Sequence, residues 1–145
     1  MFDSYEGLQR TSVPAIAEQL LGLNPGEEYN AAELITARGA QLYPERTAYV
    51  LRGPDGSRSV VSYLDLRRDT LRVSALLKRM ALQPGDRVFG LLEPCAELYA
   101  FMLGAIHAGA IMSPLFPAFG VEAIADRLQD AEASLLCTTA RQLNK

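Results

Sequence analysis

Gln83-Pro-Gly-Asp-Arg-Val-Phe-Gly-Leu-Leu92 decides how the rest of this 145-residue chain is read. Pro84 and Gly85 are turn residues, and Asp86 completes the turn. Residues 87–92 then run on with no polar side chain after Arg87. An alternating pattern would mark a strand with one wet face; a continuous apolar run marks one covered on both faces, as in a parallel sheet. Parallel strands need crossover helices, and the sequence downstream supplies them. Pro94 opens a helix over residues 95–108 that is apolar nearly all round, with Glu97 and His107 as its polar residues, so it is covered on more than one side. Gly109 stops it, residues 110–113 form a second apolar strand, and Pro114, Pro117 and Gly120 make residues 114–120 a loop. Helical spacing returns over residues 121–131, with Ile124 and Leu128 inward and Glu122, Asp126, Arg127 and Asp130 outward; residues 134–138 are a third strand. The order predicts an α/β fold, a parallel βαβαβ sheet with right-handed crossovers covered by helices.

Upstream, Ser62 and Asp65 form a capping signature for a helix in which Leu66, Val73, Leu76, Leu77 and Met80 recur at helical spacing. Residues 47–51 and 59–61 are short apolar runs on either side of Gly53-Pro54-Asp55-Gly56, the chemistry of a hairpin at a sheet edge. The first 45 residues read as peripheral helices, one starting at Ser12 and Pro14, the other capped by Asn30 with Glu33 as reciprocal partner, separated by Asn24-Pro25-Gly26. Two parts are therefore expected: a helical segment, 1–45, and an α/β subdomain, 46–145.

A hydrophobic content of 49% is enough for a core and argues against disorder. Cys95 and Cys137 make no disulfide framework and lack zinc-site spacing. Asp3, Glu6 and Glu18 interrupt the N-terminal apolar residues, so no signal peptide is expected and the cytoplasm is the expected location. The net charge of -3 hides a basic middle, nine basic against four acidic residues over 46–91. Nucleic acid is not the expected partner, because Arg67, Arg68, Arg72, Lys78 and Arg79 interleave with Asp65 and Asp69 as the solvated face of one helix. Residues 98–121 carry no charge apart from His107, and a membrane span needs about 20 apolar residues. Gly104, Gly109, Pro114 and Pro117 break the stretch into helix, strand and loop instead.

Little in the chain carries chemistry. It holds neither GxxxxGK[ST] nor GxGxxG, the glycine patterns whose backbone amides cradle phosphates. Its one histidine, His107, sits where a cation meets a helix C-terminus rather than beside a nucleophile. Cys95, in a first helical turn, has a position that lowers a thiol pKa but no surrounding motif, and reads as a small packing residue. The carboxylate pairs Asp65/Asp69 and Asp126/Asp130 lie on solvated helix faces. The loop Ser113-Pro-Leu-Phe-Pro-Ala-Phe-Gly120 differs. It puts Phe116 and Phe119 at a strand's carboxyl end, where open parallel sheets bind ligands, although both rings could equally cap the core.

Taken in order, residues 83–92, Glu97-Leu-Tyr99, Gly104-Ala-Ile-His-Ala-Gly-Ala110, the phenylalanine loop, Ala125-Asp-Arg-Leu-Gln-Asp-Ala131 and Leu135-Leu-Cys-Thr-Thr139 resemble the front of AMP-forming acyl-CoA synthetases. Ser62-Tyr63 with Leu66 looks like the family's start of its first long helix. The resemblance covers residues 30–139, and the phenylalanine loop is similar to the acetyl-CoA synthetase branch. It implies the N-terminal part of the large domain of an adenylate-forming ligase. It also implies a two-step reaction that uses ATP, Mg2+ and coenzyme A on a small carboxylic acid, acetate or another short-chain acid. The family's phosphate loop, nucleotide-binding acidic residues and catalytic lysine have no counterpart here, so no catalytic or metal residue is expected. The partner implied is the remainder of the synthetase polypeptide or a complementary subunit. By the same resemblance Phe116 and Ala118 are coenzyme A contacts, although Pro117-Ala118 stands where the family commonly has Gly-Gly; Arg141 and Lys145 do not match the spacing of the family's phosphate-binding arginines. Two other readings stay open: a self-contained doubly wound α/β binding module, and a membrane-associated fragment around residues 98–121. A three-strand sheet without further neighbours should leave apolar edges that need a partner.

Overall fold

The computed structural model describes residues 14–15, 18, 22–24, 26–53 and 55–144. Pro14, Ala15 and Glu18 are helical, while Ser12, Pro25, Pro54 and Lys145 lie outside the described residues. Helix α1 (Ala31–Leu42) begins where the Asn30 side chain accepts a hydrogen bond from the Glu33 amide at 3.1 Å. Strands β1 (Thr47–Arg52) and β2 (Arg58–Ser62) pair antiparallel as a hairpin with one irregularity between Thr47 and Tyr49. Helix α2 (Tyr63–Arg79) follows, and Ser62 caps it while its hydroxyl ties down the Asp65 side chain. Ser62 Oγ accepts from the Asp65 amide at 3.1 Å, and its hydroxyl donates to the Asp65 carboxylate at 2.7 Å.

Three parallel strands, β3 (Arg87–Leu91), β4 (Ile111–Pro114) and β5 (Leu135–Thr138), form one sheet in the order β4-β3-β5. Helices α3 (Ala96–His107) and α4 (Val121–Asp130) connect them, and a single turn, α5 (Ala140–Leu143), follows β5. Because β4 lies on one side of β3 and β5 on the other, the two crossovers run in opposite directions. Right-handed connections then place α3 and α4 on opposite faces. The core divides accordingly. Val88 packs with Leu77, Phe101, Ala105, Ala108 and Ala110, whereas Phe89 and Leu91 pack with Leu115 and Ile124. Alternate residues of β3 thus serve two apolar layers, the physical reason for its unbroken apolar run.

The helices that precede β3, β4 and β5 end alike. The second residue beyond each helix has positive φ (Ala81 63°, Gly109 88°, Glu132 46°), and the next amide reaches back to the carbonyl five residues earlier. That is the Schellman closure, which satisfies terminal carbonyls.

Several expectations are corrected. Cys95 is the extended cap before α3, not part of its first turn. Leu76 and Met80 do not point inward: they are 54% and 57% exposed, and the covered face of α2 is Leu66, Thr70, Ser74 and Leu77. Arg67 leaves the solvated stripe for an ion pair with Glu33, while Arg68 and Arg72 stay on it with Asp65 and Asp69. Among the described residues no helix is long and apolar enough to cross a membrane; residues 98–121 are divided among α3, β4, a loop and the start of α4.

Candidate functional site

The phenylalanine loop is fixed at its base and open at its tip. Leu115, 4% exposed, donates its amide to the Gly90 carbonyl at 2.8 Å, which ties the loop to the carboxyl end of the central strand. The Phe119 amide closes a turn on the Phe116 carbonyl at 3.0 Å. The two rings meet edge to face, 5.9 Å between centroids at 80°. Phe119 is also covered by the Arg127 guanidinium, 4.6 Å from its centroid, while Arg127 donates to the Ala123 carbonyl at 2.7 Å. Phe119 therefore belongs to the core side of the loop, packed beside Ile124, and Phe116 is the presented ring, 64% exposed. Ala118 is exposed beside it. Arg127, read from the sequence as simply outward, is folded back over the ring.

A nucleotide base needs a flat apolar face, and Phe116 offers one; a phosphate group needs converging amides or cations, and this loop gathers none around Phe116. Arg141 stands apart, largely exposed, 3.7 Å from Glu93. Among the described residues no group of three His, Cys, Asp or Glu side chains could hold a metal ion. The loop thus offers one exposed aromatic face, and among the described residues no three-ligand metal set accompanies it. Burial pushes the Cys95 thiol pKa up, against the reactive direction, and does the same at Cys137.

A second polar constellation was invisible in the sequence. Glu33 on α1 accepts from Arg67 of α2 through both carboxylate oxygens, one of these bonds at 2.8 Å, and meets His107 Nε2 of α3 at 3.0 Å. His107 Nδ1 lies 2.9 Å from Ser74 Oγ, and Arg67 also donates to Thr36 Oγ1 at 3.0 Å. Asn30 adds a bond from its side-chain amide to the Ile106 carbonyl at 3.0 Å. Two expectations change as a result. The Glu33 carboxylate does not return to cap Asn30, and the last carbonyls of α3 are met by Asn30, while the His107 ring turns to Ser74 and Glu33.

Serine, histidine and carboxylate in sequence resemble a hydrolytic relay, but Ser74 is 2% exposed within a helix and no substrate carbonyl can approach its oxygen. In the neutral imidazole, Nε2–H donates to Glu33 and Nδ1 accepts from the Ser74 hydroxyl, so the network is a three-helix clip.

The clip has a pH signature. Hydrogen bonding from Arg67, with lesser help from His107, holds the Glu33 carboxyl below its ordinary range. A depressed folded value contributes stability above the unfolded value of about 4.3, and that contribution disappears as pH falls through the folded value. Glu33→Gln is therefore expected to lose more stability at pH 5.5 than at pH 3. The gap should be about 1 kcal/mol at most, because the side chain is 44% exposed and water screens it. Parallel denaturation profiles for the two proteins at both pH values would contradict this account.

A family model described as AMP-binding enzyme matches residues 36–145. The acetyl-coenzyme A synthetase of Bacillus subtilis is 39% identical over 85 residues, 58% of this chain and 15% of the relative. That of Coprinopsis cinerea is 32% identical over 111 residues, 76% of this chain and 17% of the relative. Among solved structures, an acyl-CoA synthetase from Brucella canis superimposes with a TM-score of 0.84 at 33% identity, covering 99% of this chain and 27% of that one. The region matched is therefore less than a fifth of the length of these curated relatives.

Proposed function

The chain belongs to the AMP-binding enzyme family, and from that membership we propose that it is the N-terminal scaffold segment of an AMP-forming acyl-CoA ligase acting on acetate or another short-chain acid. The observation that carries the reading is the family match over residues 36–145, joined to a fold shared with the Brucella acyl-CoA synthetase across nearly the whole chain. In the proposed reaction of the whole protein, a carboxylate oxygen attacks the α-phosphorus of ATP and releases diphosphate, giving an acyl-adenylate. The thiol of coenzyme A then attacks the acyl carbonyl and AMP departs. Such chemistry demands stabilisation of charge on the transferring phosphoryl group and exclusion of water from the anhydride. Mg2+ and the donors for the first demand are assigned to polypeptide other than this segment.

Within this reading the chain divides into 1–45 and 46–145, and Asn30 and Glu33 at the start of α1 brace the first part against α2 and α3 of the second. Phe116 presents its ring to the base of the coenzyme A nucleotide with Ala118 beside it. The partner is the rest of the synthetase, in the same polypeptide or as a complementary subunit, and the location is cytoplasmic. The purified 145-residue protein, given ATP, Mg2+ and acetate, is expected to show no acetate-dependent exchange of diphosphate into ATP. Exchange clearly above the protein-free blank would place working machinery inside this chain and end the scaffold reading.

A further inference from the structure

We infer that the outer face of the β1–β2 hairpin is a docking surface for an acidic polypeptide segment, whose carboxylates meet Arg52 and Arg58 while an apolar side chain beside them covers Val50 and Val60. Such a surface is independent of the ligase chemistry. Val50 lies directly across from Val60 and Arg52 from Arg58, and the one irregularity of the ladder falls before Tyr49. Residues two apart on a strand share a face, so these four side chains form one surface, and all four are exposed. Tyr49, Leu51 and Val61 belong to the opposite face and are half-buried, with the Tyr49 ring 5.0 Å from that of Tyr99 on α3. The arginine face is therefore the outer one.

Arginine facing arginine is what calls for an occupant. The Gly53 amide bonds to the Ser57 carbonyl at 2.9 Å, which puts the 52/58 and 50/60 pairs at non-hydrogen-bonded positions, where facing Cα atoms are about 4.5 Å apart and side chains closest. Like charges directly opposite destabilise a ladder. Among the described residues neither arginine has an ion-pair partner. Asp55, the nearest acid in sequence, is committed to the turn, where it accepts from the Ser57 amide at 2.9 Å. The turn is fixed as well by the Gly56 amide on the Gly53 carbonyl at 3.0 Å, so the two cations are held ready on one rigid hairpin. Two guanidinium groups so placed donate to a pair of carboxylates or to one doubly charged oxyanion. The valines choose between these. A free oxyanion would answer the arginines and leave Val50 and Val60 in water. A peptide carries acidic and apolar side chains together and spans both pairs, one two-residue step of about 7 Å apart. Nucleic acid fits less well, because this face has no aromatic ring for a base to stack on.

The test titrates the 145-residue protein with a blocked peptide, Val-Ser-Glu-Ser-Glu, with the same peptide carrying glutamine for glutamate, and with inorganic phosphate. When extended, the first peptide puts its valine and both carboxylates on one side. Amide chemical shifts of residues 50–52 and 58–60 are expected to move and saturate with the acidic peptide at low salt, and to need about tenfold more of either other probe. Val50→Ser/Val60→Ser is expected to weaken the peptide and leave phosphate unchanged. Arg52→Glu turns the like-charge pair into an opposite-charge pair, so it is expected to raise the melting midpoint while abolishing peptide binding. A variant that melts higher and binds nothing has not lost binding through unfolding. No saturable shift at the hairpin, phosphate or the glutamine peptide binding as tightly as the acidic one, or peptide binding retained by Arg52→Glu would each overturn the docking surface. A lowered midpoint for Arg52→Glu would do so too, since the arginine pair would then need no occupant.

Discussion

Phe101→Ala is expected to lower stability by about 3–5 kcal/mol, a large part of what a domain of this size possesses. Phe101 is 5% exposed and sits at the centre of the layer where α2, α3 and β3 meet. Its companions decide the magnitude. Ala105, Ala108 and Ala110 have no side-chain length with which to fill a void, and Val88 is held in the central strand, so the cavity would persist. One side of the ring also borders the hollow beside β5, where water can enter the space left behind, and this places the cost towards the lower end of the range. Denaturant midpoints of the two proteins, compared at unchanged slope, measure the effect. A loss below about 1 kcal/mol would remove Phe101 from the core.

What the sequence disclosed and what it hid divide along one physical line. β3 was legible because a turn signal and an unbroken apolar run are local facts, and the end of α3 was legible because Gly109 is glycine. Ala81 and Glu132 close α2 and α4 by the same geometry and went unseen, because neither residue favours positive φ; the closing hydrogen bonds impose it. The clip on Glu33 joins residues 34 and 74 positions apart, a separation no periodicity can report. Leu76 and Met80 misled for the opposite reason. Their spacing is a correct sign of a helix, but both side chains stand exposed at the hollow between α2, α3 and β5 instead of in the core. At the phenylalanine loop the residue types announced a site, while the division of labour between a presented Phe116 and a pinned Phe119 depended on Arg127, eight positions further on.

The clip and the α2–α3 contact support one another, and the second large effect tests that connection. Gly104→Ala is expected to destabilise the protein by about 1–2 kcal/mol, although alanine is the better helix former by about 1 kcal/mol. A methyl at position 104 would stand 2.6 Å from both Cβ and Cγ1 of Val73 and 3.1 Å from the backbone nitrogen of Ser74. Neither neighbour can yield: a β-branched side chain in a helix has essentially one χ1 rotamer, and Ser74 N is in the α2 backbone. The helices must therefore move apart, and with neither neighbour able to yield the overpacking cost falls in the upper part of its usual range, about 2–3 kcal/mol, which exceeds the propensity gain. His107 lies one turn beyond Gly104 on the same side of α3, so the separation also stretches its 2.9 Å contact with Ser74. Trimming the obstacle should restore what the methyl removes: in a double-mutant cycle, Val73→Ala is expected to cost less in the Gly104→Ala background than alone. A Gly104→Ala protein as stable as the parent, or additive effects around the cycle, would show that the two helices have room to spare and that Gly104 is not what sets their distance.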